Sequence, residues 1–214
     1  VVQHGARMAF ELHLPNTDSQ SVELALPGRH AVQNALGAAA VAWELGVAAT
    51  DIVAGLQAFS GVGRRFEPMG TLVLSGQRQV LAFEDYGHHP TELDAVIQAA
   101  RGGWPDKRLV LVFQPHRFTR TRDQFDAFAR VLAEPDVLIL ADIYPAGEAP
   151  IPGIDSQALA EAITQRGDDA VQRIHSVDEA EACIDRVCQD GDLLLVMGAG
   201  NVGRLAQTLR RSLT

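Results

Sequence analysis

The 214-residue sequence has only two cysteines, Cys183 and Cys188, five apart within a predicted helix. That spacing is neither a disulfide framework nor a metal-ligand pattern, and both read as ordinary helix residues. Positive charge is also scarce: 18 Lys and Arg stand against 27 Asp and Glu, for a formal net charge of −9. Neutralising nucleic-acid phosphates needs a broad basic face, so nucleic acid is not an expected partner. No apolar run approaches the roughly 20 residues that cross a bilayer. The start, VVQHGARMAFELHLP, lacks the charged region, apolar helix and cleavage site of a leader. These absences lead to the expectation of a cytoplasmic protein with no membrane contact. At 47% hydrophobic and 21% charged, the composition is that of a globular chain with one large domain or two small ones.

What is present falls into two stretches. From Val1 to about Pro27, Met8, Phe10, Leu12 and Leu14 and then Val22, Leu24 and Leu26 alternate as in a hairpin, with Pro15-Asn16-Thr17-Asp18 as the turn. An alanine-rich helix is predicted over 32–45, ending at Gly46, and a second after Thr50 as N-cap, with Ile52, Val53, Leu56 and Phe59 on one stripe. After Arg64-Arg65-Phe66-Glu67-Pro68 strands alternate with helices, the signature of a mostly parallel sheet. Strands are predicted at 71–75, 80–84, 108–113, 136–141 and 192–197, and more weakly at 171–174. Helical stripes run through Leu93, Val96, Ile97 and Ala100, and through Phe125, Phe128, Ala129 and Leu132. Further helices are predicted at 155–165, 178–188 and 201–212. The expected fold class is α/β: residues 69–214 form a Rossmann-like domain with a mostly parallel sheet flanked by helices. Residues 1–68, with little core of their own, form an incomplete α/β segment of a larger domain.

Two segments carry the chemistry, each directly after an apolar strand run. EDYGHHPTE (84–92) gathers a carboxylate, a phenol and two imidazoles ahead of Pro90. Asp85 at a strand end is suited to a pair of ribose hydroxyls, and neutral imidazole such as His88 or His89 can donate to a carboxylate or move a proton near neutral pH. The same residues also fit a polar turn before a helix, with Pro90 at its first position. Adjacent histidines on such a turn point apart and no third ligand follows at a usable spacing, so no metal site is expected in this chain. QPHRFTRTR (114–122) places His116, Arg117, Arg120 and Arg122 together in an acidic protein. The spacing of Arg117 and Arg120 lets two guanidinium groups converge on one anion, with His116 as a third donor. The alternative is a solvated helix start with Thr121 as the cap of a helix beginning near Arg122. Cations there would oppose the helix dipole, which favours an anionic ligand.

Gly198-Ala-Gly200-Asn-Val-Gly203 matches G-x-G-x-x-G between strand and helix. As a dinucleotide site it lacks the acidic residue expected about 20 positions on, so a tight turn is the favoured reading and an oxidoreductase the alternative. The Pro/Gly-rich stretch 142–153 fits either a flap over the strand ends or an ordinary surface loop. A module that binds a small anion without catalysis is a third class.

Taken together, GRHAVQNALGAA, FSGVGRRFE, EDYGHHPTE, FQPHRFTRTRDQF, DIYPAGEAPIPGI and LLLVMGAGNVG stand in an order and spacing that resemble the Mur ligases, across essentially the whole chain. The pairing of the double-His segment with the arginine run is similar to the member that joins L-alanine to UDP-N-acetylmuramate. A murein-peptide-recycling ligase of the same family is the alternative. The resemblance implies an ATP-dependent amide ligase working through an acyl phosphate in peptidoglycan precursor synthesis. It further implies that residues 1–68 are the end of the central ATPase domain and 69–214 the C-terminal domain. No G-x-x-x-x-G-K-[ST] phosphate loop occurs in the sequence. The family's lysine and magnesium ligands are therefore expected upstream of Val1, Mg2+ serving the full enzyme, and this piece is expected to be inactive alone, with no catalytic residue assigned in it. By resemblance, Asn34 contacts adenine, Arg65 the ATP, and Asp85 the ribose, while Tyr86, His88, Arg117 and Arg120 line the amino-acid and product side. Ala31 departs from the asparagine usual after G-R-H, which removes one polar contact near the nucleotide.

Overall fold

A computed structural model describes residues 1–166 and 171–211. The chain divides into two compact units, Val1–Gly63 with Gln98–Pro105, and Arg64–Ile97 with Asp106–Thr214. In the first, β1 (Val2–His4), β2 (Arg7–Leu12) and β3 (Gln20–Leu24) form an antiparallel sheet in that order. Met8 pairs with Leu24 and Phe10 with Val22, so period-two alternation puts Met8, Phe10, Leu12, Val22 and Leu24 on one face. Ala31, Val32, Ala35 and Ala39 of α1 (Arg29–Glu44) and Ile52 of α2 (Ala49–Ala58) close that core. The expected hairpin gains a third strand, because Gly5 at φ +56 turns Val2–His4 back onto β2. The expected cap Thr50 lies inside α2, whose N-cap is Ala48 without a side-chain bond.

The second unit is built on a six-stranded sheet ordered β4 (Glu67–Val73), β5 (Gln79–Asp85), β9 (Leu193–Met197), β6 (Leu109–Phe113), β7 (Val137–Ala141), β8 (Val171–Ile174). Every pairing is parallel except β4 with β5. β6, β7 and β9 read LVLVF, VLILA and LLLVM and are buried at every position, as strands covered on both faces must be. β4 is an edge strand, where Pro68 costs no ladder bond and a bulge falls between Pro68 and Gly70. The part of α3 (Pro90–Gly103) up to Ile97, with α4 (Phe118–Asp123), α5 (Phe125–Val131), α6 (Ser156–Thr164), α7 (Ala180–Val187) and α8 (Val202–Arg211), completes the α/β alternation. The units part between Gly63 and Arg64, and the boundary expected at residue 68 falls inside β4. Glu67 takes the Arg64 N–H and Asp85 the Phe66 N–H, which ties this segment to the sheet. The helix predicted near Arg122 begins four residues earlier, as α4, and breaks at Gln124 before α5. The last position of the helix predicted over 201–212 lies outside the described residues.

β9 comes last in sequence yet sits between β5 and β6. Its register sets Met197 opposite both Asp85 and Phe113, so three carboxyl ends finish level. Ligands of open α/β sheets bind beyond such ends. Among the described residues no helix is long and apolar enough to cross a membrane.

Cys183 and Cys188 are both buried against the sheet. Burial, with Asp192 adding to it, pushes the Cys188 thiol up to about 12, and burial raises Cys183 as well. The thiolate is the reactive form. Neither cysteine is therefore expected to alkylate with iodoacetamide in the folded chain at about pH 8, and both should do so in urea. Labelling of Cys188 under native conditions, read by mass spectrometry, would contradict this packing.

Candidate functional site

β5 ends on two buried carboxylates. Asp85 is 3% exposed, and its oxygens accept the N–H of Phe66 at 2.8 Å and of Gly87 at 2.6 Å. Burial raises its carboxyl above the ordinary value, against the pull of those N–H groups and of Arg65. Glu84, equally buried, accepts from Arg64 Nε at 2.7 Å and lies 3.2 Å from Arg210 Nη2 of α8. A buried carboxylate without partners would lose several kcal/mol, roughly 3–5 when one side of a buried pair is removed, so this pairing anchors the segment before β4. Arg64 also donates to Gly198 O at 3.0 Å and lies over Tyr86, with Cζ 4.7 Å from the ring centroid. Arg64 and Phe66 hold left-handed φ values of 59° and 44°, a strained path kept in place by these bonds and by Tyr86 N–H donating to Arg64 O.

Pro90 opens α3, and Glu92 folds back to accept the N–H groups of His88 (2.9 Å) and His89 (3.1 Å). Burial alone would raise the Glu92 carboxyl. The two N–H bonds, then His88 and Arg65, bring it below its ordinary value. Arg65 is the exposed arginine of its pair, 3.6 Å from Glu92 Oε1, with its guanidinium 5.7 Å from the Tyr86 ring.

Beyond β6, Arg117 N–H donates to Tyr144 O and Tyr144 N–H to Pro115 O, which locks the 114–117 segment to the loop after β7. His116 stacks on Tyr144 at 5.5 Å and 18°, and meets His88 edge-on at 5.7 Å. His88 meets Tyr86 edge-on at 5.2 Å. The two sequence segments therefore join in one continuous row: Tyr86, His88, His116, Tyr144. Arg120 reaches back to His116, donating to its carbonyl at 3.0 Å. Arg117 is exposed at the start of α4 with φ 74°. Thr121 is no cap: it is buried in α4 and its hydroxyl donates to Arg117 O. Arg120 and Arg122 occupy the last turn of α4, so the expected conflict with the helix dipole does not arise. The anion near its first turn is the chain's own Glu148, which accepts from both the N–H and the hydroxyl of Thr119. The 142–153 stretch is thus tied down at Tyr144 and Glu148.

Of the sequence candidates, the fold brings together Arg65, Asp85, Tyr86, His88, Arg117 and Arg120. Asn34 is exposed on α1 in the first unit, with Ala31 buried on the same helix. Sequence reasoning missed Arg64, Glu84, Glu92, Arg210 and Tyr144. The signal available for Arg64 was its place beside Arg65 just ahead of a strand. At the Gly198–Gly203 motif, the close approaches belong to Gln114, Tyr144 and Arg64. Protein atoms fill the space that the glycines of a dinucleotide site leave for pyrophosphate. Among the described residues no group of three or more His, Cys, Asp or Glu is placed to hold a metal ion.

Residues 64–200 match the family described as Mur ligase, glutamate ligase domain. The UDP-N-acetylmuramate--L-alanine ligase of Xanthomonas campestris pv. campestris (strain B100) is 56% identical over 209 residues, 98% of this chain and 44% of that protein. The chain spans less than half the length of the curated relatives it matches. Among solved structures it is similar to UDP-N-acetylmuramate-alanine ligase MurC from Thermotoga maritima, with a TM-score of 0.77 at 21% identity over 98% of this chain and 44% of that one. It is also similar to a murein peptide ligase from Psychrobacter arcticus, with a TM-score of 0.67 at 24% identity over 98% and 42%. At these identities the structural likeness concerns the fold.

His116 is held below its ordinary 6.5, first by burial and then by Arg120, His88 and Arg117. The folded state disfavours the protonated ring. Its contribution to stability is therefore complete above 6.5 and is lost as pH falls through the lowered folded value. Followed by imidazole proton shifts, His116 should titrate below 6.5, and Arg120→Gln should raise the midpoint. A midpoint at or above 6.5 in the unsubstituted chain would count against the row.

Proposed function

Because the chain belongs to the Mur ligase family, we propose that it is part of an ATP-dependent ligase that joins L-alanine to UDP-N-acetylmuramate in peptidoglycan precursor synthesis. The observation that carries the proposal is the ring row with Arg117 and Arg120 at the strand ends, in a chain 56% identical to ligases named for that reaction. In such a ligase the muramoyl carboxylate takes the γ-phosphoryl group of ATP. The alanine amine then attacks the acyl carbon and phosphate leaves. The demand on the protein is to offset crowded anions and hold an amine in line.

The residues described here suit binding and positioning. Arg117 is the exposed donor for a substrate carboxylate or phosphate, and Arg120 holds His116 in place. Tyr86, His88, His116 and Tyr144 are assigned to the amino-acid side. Burial and its cationic neighbours disfavour the charged His116 ring, so it is assigned to hydrogen-bonding the amino acid. Arg65 and Asn34 are assigned to ATP. Asp85 is assigned to the ribose, each of its oxygens accepting one backbone N–H and keeping a further lone pair. When bound, ATP supplies the phosphoryl group and its magnesium offsets phosphate charge. No ligand to that metal is assigned in this chain.

We take the segment up to Gly63 as the end of the ATP-binding domain and the chain from Arg64 as the C-terminal domain, which moves the expected boundary at residue 68 to the start of the family match. The family match that begins at residue 64 and the exposed Leu36, Val41 and Leu45 on and just after α1 support this. The chain alone is then expected to release no ADP, and the whole ligase to work in the cytoplasm.

A graft tests the reading. In the Xanthomonas campestris relative, the matching 209 residues are replaced by those of this chain. ADP release by the graft should require both L-alanine and UDP-N-acetylmuramate, and Arg117→Gln should raise a substrate KM about 10-fold or more, the scale of a lost charged hydrogen bond. Turnover indifferent to L-alanine, or an Arg117→Gln graft with unchanged KM values, would sink the assignment.

A further inference from the structure

The Gly198–Gly203 turn meets one end of the ring row directly and the other through Arg64. At one end the Gly198 carbonyl accepts Arg64 Nη2 at 3.0 Å, and a Cβ on Gly203 would lie 2.9 Å from the same nitrogen. Arg64 in turn covers Tyr86. At the other end a Cβ on Gly200 would fall 2.8 Å from Tyr144 Cγ and 2.9 Å from its Cβ, and against Gln114 Oε1. Tyr144 is the ring stacked on His116. Gln114 has little room to retreat, because Oε1 accepts the N–H of Val202, the first residue of α8, and its own N–H donates to Met197 O. Gly198 itself needs to be glycine: its φ is 141°, and an added Cβ would meet Gln114 O at 2.9 Å.

We infer that this turn is a specificity-determining platform, which fixes Tyr86 through Arg64 and Tyr144 through Gly200 and thereby sets the spacing of the row that meets the amino-acid side chain. The inference rests on the reading of that row as the amino-acid side. Its physical basis is that Tyr144 and the Arg64 that covers Tyr86 both lie against one short turn, so the row cannot widen at one end without displacing Gln114 or Arg64. A methyl group on Gly200 would push Tyr144 off His116. Selection between amino acids that differ by one carbon operates on that scale, roughly 10–200-fold in kcat/KM. The glycines that suggest a dinucleotide site thus make room for side chains of the protein.

Two measurements test it. The first is on the 214-residue chain, with imidazole resonances recorded for Gly200→Ala and for Gly37→Ala, a helical control with no atom within 4 Å of its added Cβ. The His116 signals should move in the first variant and stay in the second. The second is on the graft, where Gly200→Ala should lower the kcat/KM ratio of L-alanine over glycine about ten-fold, with the loss in KM rather than kcat. Unmoved His116 signals in a folded Gly200→Ala chain overturn the inference, and so do moved signals with an unchanged ratio. Should Gly200→Ala fail to fold, Tyr144→Ala reads the same link: a lowered ratio supports it and an unchanged ratio overturns it. If the unsubstituted graft ignores L-alanine, the functional reading itself has failed and takes this inference with it, an outcome separate from the chain's resonances.

Discussion

The arrangement depends on one buried charge. Glu84 is buried at the end of β5, with Arg64 paired to it on one side and Arg210 on the other. The cost of desolvating a carboxylate is several kcal/mol, and only close pairing with satisfied geometry offsets it. Because Arg64 is needed there, its backbone is drawn against β5 despite two left-handed residues, and its Nη2 is directed to the Gly198 carbonyl. The same guanidinium then covers Tyr86. A single electrostatic requirement thus sets the path of the segment before β4, the position of the turn after β9 and the first ring of the row.

From there the geometry propagates through level strand ends. Met197 stands opposite both Asp85 and Phe113, so the loops after β5 and β6 start from the same height and their histidines meet. Charge is arranged with the same economy. The acidic chain supplies its own counter-ions: Glu148 takes Thr119 at the first turn of α4, and Glu92 takes the turn before α3. What stays exposed at the strand ends is cationic, Arg65 and Arg117, which suits a ligand bearing phosphate and carboxylate groups.

The sheet was legible in the sequence because its central strands are unbroken apolar runs, as LVLVF and LLLVM must be when helices cover both faces. Element ends were less legible. Thr50 is chemically a good cap, yet α2 starts before it, and α4 starts at Phe118 because Arg117 takes a left-handed turn that no local rule demands of arginine. In the site, the double-His and arginine segments stood out because their chemistry is dense and local. Arg64, Glu84, Arg210 and Tyr144 did not, since their partners are distant in the chain: Arg64 and Gly198 are 134 residues apart. The glycine motif was legible as a turn, while its contact with Tyr144 follows only from the way β9 inserts between β5 and β6.

The loops after β5 and β6 are proposed as one wall of an amino-acid site. The most direct measurement is of nuclear Overhauser contacts from methyl-labelled L-alanine in the graft, with UDP-N-acetylmuramate and a non-hydrolysable ATP analogue present. Contacts are expected from the alanine methyl to the rings of Tyr86, His88 or His116. Saturating L-alanine that shows contacts elsewhere and none to these rings would contradict it.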